Sequence, residues 1–320
     1  MLSRVANSMY WMSRYIERAE NVARSMEVNS HMVLDVPGEE QAQWGPLVTI
    51  TGNDSLFRSN YETASQENVI QFLAFDRNNP SSIISCLSAA RENARIIRPS
   101  IPTELWECIN RLYLYVTRTA INDRVFESPH EFCQHVKFTC QSFLGIMDLT
   151  MTHGEGWHFC QLGRSLERAD QTTRLLDVKY FILLPTVDHV GLSVDDIQWA
   201  AVLRSASAFE MYRQKYGVIL PIRIVEFLIL DRQFPRAVLY CLDRAEESLH
   251  RIAGSEPGSF TSLPEQRLGQ VRSDLLYMRV EDIIARGLHE FLDNFQLRLN
   301  GIGEAVFSTF FSLYPVSSSS

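Results

Sequence analysis

RYIERAENVAR, residues 14–24, sets two carboxylates among three arginines, and RSLERADQTTR, residues 164–174, sets out nearly the same pattern. Aligning them pairs Arg14 with Arg164, Glu17 with Glu167, Arg18 with Arg168, Ala19 with Ala169, Glu20 with Asp170 and Arg24 with Arg174, all at a shift of 150 residues. Further matches follow in the same order. Gln43-Trp44 returns as Gln198-Trp199, FRSNY at 57–61 as YRQKY at 212–216, and FLAFDRNNPSSIISCL at 72–87 as FLILDRQFPRAVLYCL at 227–242, each shifted by 155. His130-Glu-Phe132 returns as His289-Glu-Phe291, shifted by 159. Ordered matches with slowly growing shifts indicate an internal duplication of about 150 to 160 residues.

Within each unit the segments read as helices. SSIISCLSAARENARIIR after Pro80 and RAVLYCLDRAEESLHRI after Pro235 carry apolar residues at three-to-four spacing, and each proline stops the segment before it. TELWECINRLYLYVTRTAI opens on Thr103 as a cap candidate and puts Leu105, Ile109, Leu112 and Val116 on one side. Breaks fall at DVPGEE (35–40), DRNNP (76–80), THGEG (152–156), DRQFP (231–235) and AGSEPGSFTSLPE (253–265). No alternating strand pattern of useful length occurs. The expected fold is an all-α helical bundle of two tandem repeats of about five helices each, related by a pseudo-twofold. It forms a single domain over 1–310, with repeat one at 1–150, repeat two at 151–310 and a disordered tail at 311–320.

Composition narrows the function class. Hydrophobic residues make up 46% and charged residues 21%, so the chain can build a core. A net charge of -8 argues against a nonspecific nucleic-acid binder. With no apolar run of membrane-spanning length and no signal-peptide core at the start, the expectation is a cytoplasmic protein without a membrane partner. The six cysteines contain no CxxC and read as buried small apolar residues.

On a helical wheel, Ser13, Arg14, Glu17, Arg18, Glu20, Asn21 and Arg24 share one half of the first motif helix, and Trp11, Met12, Tyr15, Ile16, Ala19, Val22, Ala23 and Met26 fill the other. In the second, Arg164, Glu167, Arg168, Asp170, Gln171 and Arg174 take the polar half. A solvated face of salt bridges is the plain reading. Against it, both copies keep the identity and spacing of the charged residues, and every cation is arginine, the residue whose planar fork meets a carboxylate through two bonds. Two arrangements fit: a partly buried ion network that fixes register, or a cleft in which arginines grip an anion and Glu17 or Glu167 serves as a general acid or base.

Other patterns carry less. Glu155/His158 and Glu247/His250 spell ExxH, but they are not equivalent positions of the repeat, and no metal site is expected from them. His130 and His289 are equivalent and read as cap or packing histidines, Asp76 and Asp231 as turn formers, and the pairs Trp44/Trp199, Tyr61/Tyr216 and Cys86/Cys241 as matched core residues. A Gly-rich phosphate loop and a nucleophile elbow are both missing, and no cofactor is expected.

Taken together, MLSRVANSMYWMSRYIERAENVAR, FLAFDRNNPSSIISCLSAARENARIIR, TELWECINRLY and GWHFCQLGRSLERADQTTRLLDVKYF resemble the bacterial Alpha-E family over about residues 1–310. The resemblance implies an all-helical partner of a circularly permuted ATP-grasp protein, often with a transglutaminase-like protein nearby, in a peptide-forming or peptide-modifying pathway. Its Glu-Arg motif falls on Glu17, Arg18, Glu20 and Arg24, and again on Arg164, Glu167, Arg168, Asp170 and Arg174. The alternative reading is an enzyme for an amino-acid or peptide substrate, using Glu17 or Glu167 with arginines as a carboxylate clamp.

Overall fold

The computed structural model describes residues 1–35, 40–121, 124–127, 129–181 and 193–312, and among them every regular element is helical. In chain order these are α1 (Ser3–Asp35), α2 (Glu40–Ile50), α3 (Asp54–Asn60), α4 (Gln66–Ile70), α5 (Ile83–Ile96), α6 (Thr103–Thr119), α7 (Arg124–Glu127) and α8 (Pro129–Thr150). There follow α9 (Glu155–Phe181), α10 (Ser193–Ser205), α11 (Phe209–Tyr216), α12 (Pro221–Leu230), α13 (Val238–Ala253), α14 (Leu263–Leu276), α15 (Val280–Ala285) and α16 (Leu288–Val306). The expected breaks at 76–80 and 231–235 fall between helices, THGEG (152–156) is shorter than expected because α9 already begins at Glu155, AGSEPGSFTSLPE (253–265) gives way to helix at Leu263, and most of DVPGEE lies outside the described residues.

The two motif helices form the centre. Met9 of α1 lies against Gly156 of α9, Tyr10 against Gly163, and Arg14 and Arg18 against Glu167, so the two helices run parallel. Small residues let them approach: a Cβ added to Gly163 would stand 2.4 Å from the Tyr10 carbonyl oxygen, and Ala19 and Ala169 are fully buried. Each central helix carries the same escort. α5 packs on α1 and α13 on α9. α8 runs antiparallel to α1, since Lys137 meets Glu27 and Gln141 meets Glu20, and α16 likewise flanks α9, with His289 bonded to Asp177.

Local details recur at matched positions. Phe57, Tyr61 and Phe72 form a three-ring cluster with centroids 5.0 to 5.8 Å apart, and Tyr212, Tyr216 and Phe227 form another with centroids 5.0 to 6.1 Å apart. The Cys86 thiol donates to the Pro80 carbonyl at 3.7 Å, as Cys241 does to that of Pro235 at 3.6 Å. Asp76 accepts from the backbone N–H of Asn78, and Asp231 from those of Gln233 and Phe234, the turn-forming role expected of them.

One helix start differs from the sequence reading: Thr103 is the first helical residue and Pro102 the residue before it, because proline needs no N–H partner at a helix entrance. The apolar stripe of α6, Leu105, Ile109, Leu112 and Val116, is buried as its spacing predicts, and all six cysteines are buried. Packing continues past α16 to Phe311, which is buried against Tyr10 and Phe159, so the expected tail boundary at 311 falls inside the core; residues 313–320 lie outside the described residues. Among the described residues no helix is long and apolar enough to cross a membrane.

Candidate functional site

α1 is amphipathic in sequence yet enclosed on both sides. Its apolar side buries Ile16, Ala19 and Met26 in the core, and its polar side holds Ser13, Glu17, Glu20, Asn21 and Arg24 at 5% exposure or less. A face so covered is not a solvated one. Burying those charges would be prohibitive unless each met a partner, and the partners come from α9 through Arg168, from Arg236 just before α13, from Gln141 of α8, from Ser205 of α10 and from within α1.

The exchange is reciprocal. Glu17 of α1 receives a two-pronged grip from Arg168 of α9, Nε at 2.9 Å and Nη2 at 2.7 Å. Glu167 of α9 receives the matching grip from Arg18 of α1, Nε at 2.6 Å and Nη2 at 2.9 Å. Each carboxylate takes a second guanidinium. Arg14 donates to Glu167 at 2.8 Å and to the Tyr10 hydroxyl at 3.1 Å, while Arg236 donates to Glu17 at 2.7 Å and to both oxygens of Glu20 at 2.9 Å. Glu20 also accepts from Arg24 at 2.7 Å and from Gln141 at 3.2 Å.

Five arginines thus surround three carboxylates, and neutral acceptors take up the surplus donors. The Ser205 carbonyl accepts from Arg24 at 2.6 Å, the Asn21 amide oxygen accepts from Arg24 and Arg236, and the Pro235 carbonyl accepts from Arg168 at 3.3 Å. Burial alone would raise the Glu17 carboxyl, but Arg168 and Arg236 outweigh it and hold the group far below the carboxylate range. For Glu167 burial is likewise outweighed, by Arg18 and Arg14, and the value falls to about 2.

A stability profile follows from the sign of these shifts. The folded protein keeps Glu17, Glu20 and Glu167 ionised at a pH where the unfolded chain takes up protons. Their stabilisation is therefore fully present above the ordinary value of 4.5 and is lost as pH falls toward about 2, the folded value of Glu167. Urea unfolding from pH 6 to pH 3 should show stability declining through this window, with a shallower decline in Glu167→Gln. Equal slopes in the two proteins would contradict the assignment.

Of the ten motif residues expected to act together, Arg14, Glu17, Arg18, Glu20, Arg24, Glu167 and Arg168 do so. Asp170 and Arg174 form their own pair at 2.8 Å on the next turns of α9. Arg164, the counterpart of Arg14, bonds no carboxylate among the described residues; burial and the neighbouring Arg168 lower its guanidinium to about 10. Sequence reasoning missed Arg236. It stands two residues before α13, where a cation opposes the helix dipole and where the similar stretch at 72–87 has Ser81, so neither spacing nor sequence matching pointed to it. It also missed Lys179, fully buried between Asp195 and Gln198 at 2.7 Å each.

The candidate general bases are poorly disposed for that work. Glu17 and Glu167 have no exposed surface, and every oxygen accepts a charged hydrogen bond. Each is held ionised without a path for a substrate proton. At the fringe, a cavity of 480 Å3 opens beside Arg14, lined also by Trp11, Asp170, Asn300 and Glu304, and the buried Asp170 Oδ1 finds no donor among the described residues. Neither ExxH pair joins a third candidate ligand among the described residues. The histidines read as caps or packing groups instead meet carboxylates of the central helices: His130 lies 3.4 Å from Glu27, and His289 lies 2.6 Å from Asp177.

An all-helical domain organised around interlocked Glu-Arg pairs is the class this geometry defines. A family model described as "a predicted alpha-helical domain with a conserved ER motif" matches residues 1–311, and the chain belongs to that family, Alpha-E. Uncharacterized proteins of Mycobacterium bovis and Mycobacterium tuberculosis are similar to it, 24% identical over 302 residues that cover 88% of this chain and 33% of each relative. The chain thus spans about a third of the length of the curated relatives it matches. No solved structure matches it.

Proposed function

We propose that this chain is a cytoplasmic helical partner of an amide-forming ATP-grasp protein in a peptide-forming or peptide-modifying pathway, and that its Glu-Arg helices are the fastening at its centre rather than its reactive groups. The observation carrying this reading is the complete enclosure of Glu167 by arginines of the opposite helix, and of Glu17 by Arg168 of the opposite helix and by Arg236. Such a lock holds register, and it leaves proton transfer to other molecules. In the same reading the chain is a duplicated unit folded about a pseudo-twofold parallel to α1 and α9. The matched ring clusters, cysteine contacts and flanking helices support that symmetry.

The cavity beside Arg14 is the docking or substrate surface in this scheme. Arg14 together with Asp170 and Glu304 in its lining complements the two charges of an amino acid or peptide end, and Trp11 supplies apolar surface. The test is reconstitution with a circularly permuted ATP-grasp protein of the kind the family resemblance implies. The purified chain should form no amide with ATP and amino acids, should copurify with the ATP-grasp protein, and should lose pathway output in Trp11→Ala without losing its fold. ATP-dependent amide formation by the chain alone would reject the proposal.

A further inference from the structure

Glu27 and His31 lie one turn apart on α1, and His130 reaches them from the start of α8. His31 Nε2 is 3.2 Å from His130 Nδ1, Glu27 Oε1 is 3.4 Å from the same nitrogen, and the three atoms all lie within 4.8 Å of one another. Hydrogen bonding accounts for only part of this convergence. A neutral His130 has one ring proton, and if Nδ1 carries it, the proton serves either His31 or Glu27. If Nδ1 lacks it, the carboxylate faces a lone pair. A cation at the centre satisfies all three atoms together.

The spacing fits one. Zinc bonds of about 2.0–2.2 Å in a tetrahedron place neighbouring ligand atoms about 3.3–3.6 Å apart, close to the two separations observed. We infer that Glu27, His31 and His130 form a site for a divalent transition ion such as zinc, clamping α1 to α8 and leaving coordination to solvent. Two imidazoles and one carboxylate favour such an ion over calcium or magnesium, which prefer oxygen. Lys137 bonds the other Glu27 oxygen at 2.6 Å, which orients the carboxylate and leaves Oε1 toward the histidines. Solvent access suits exchange, since His31 is exposed and the His130 side chain 42% exposed.

The matched place in the second half sharpens the assignment. There Asp177 stands for Glu27 and His289 for His130, but His289 spends Nδ1 on Asp177 at 2.6 Å and turns Nε2 toward Asp293 at 3.8 Å. The residue at the position of His31 is Phe181. Asp177, His289 and Asp293 also bring one atom each within 4.8 Å, but His289 divides its two ring nitrogens between the carboxylates, and the set supplies one imidazole where the first supplies two.

The full chain, freed of metal with a chelator and dialysed, is titrated with zinc by calorimetry and with cobalt by visible absorption. One equivalent should bind, cobalt should develop a visible d–d band, zinc should raise the melting temperature, and His31→Ala and His130→Ala should each weaken binding at least tenfold. Both side chains reach solvent, so neither change threatens the fold, and His289→Ala should bind as wild type. Absence of binding at millimolar zinc, binding untouched in both His31→Ala and His130→Ala, or binding lost in His289→Ala would overturn the assignment.

Discussion

Glu17→Gln should lower the free energy of unfolding by about 3–5 kcal/mol, the scale on which breaking a buried pair by removing one partner destabilises a protein. The substitution keeps the shape and deletes the charge. Arg168 and Arg236 would then stand in the interior without the anion that both grip at 2.7 Å, and the glutamine amide would place a donor against other donors. Arg236 retains Glu20 and Arg168 retains only the Pro235 carbonyl, so the loss concentrates on the α1–α9 contact. The matched control is Glu92→Gln, whose partner Arg95 is 64% exposed; exposed pairs contribute about 0–1 kcal/mol. Urea denaturation of both variants gives the comparison. Similar small losses in the two would show that the enclosed network does not hold the helices together.

Gly163→Ala is expected to destabilise by about 2–3 kcal/mol, at the upper end of the range for overpacking a filled interior. The new methyl would meet backbone, the Tyr10 carbonyl oxygen at 2.4 Å, and a carbonyl inside a helix cannot swing aside as a side chain can. α1 and α9 would have to separate, stretching the Arg18–Glu167 and Arg168–Glu17 bonds. Gly145→Ala in α8 is the counter-experiment. Nothing lies within 4 Å of its Cβ position, so alanine there should stabilise by about 0.5–1 kcal/mol through helix propensity alone. Melting curves of the two variants should move in opposite directions, and a neutral Gly163→Ala would mean the helices do not meet where described.

Much of this was legible in the residues. Leu105, Ile109, Leu112 and Val116 announced their side of α6 by spacing, and Trp44, Trp199, Cys86 and Cys241 announced burial by recurring in apolar surroundings. All the motif arginines but Arg164 announced carboxylate partners through their identity, because nothing in a solvated face would demand a planar fork. What the pattern could not say was which carboxylate each arginine grips. Arg18 lies beside Glu17 in sequence yet bonds Glu167, 149 positions away. Arg236 was illegible for a different reason: its partners Glu17 and Glu20 are set by the path of a turn, and the similar stretch at 72–87 holds serine at that point. The Glu27, His31 and His130 set likewise joins two helices, and His130, 99 positions from His31, could not be assigned to the α1 pair from spacing alone.

The bonds between Glu17 and residues 151 and 219 positions downstream also set a timetable for synthesis. At about 5–20 residues per second, roughly 10 to 40 s separate the emergence of the first carboxylates from that of Arg236. Until Arg236 is made, Glu17 and Glu20 lack one of the guanidiniums that replace their water, and Glu17 also lacks Arg168 for the earlier part of the interval. Final closure of the centre thus waits for the segment that carries Arg236 and is governed by long-range loop closure.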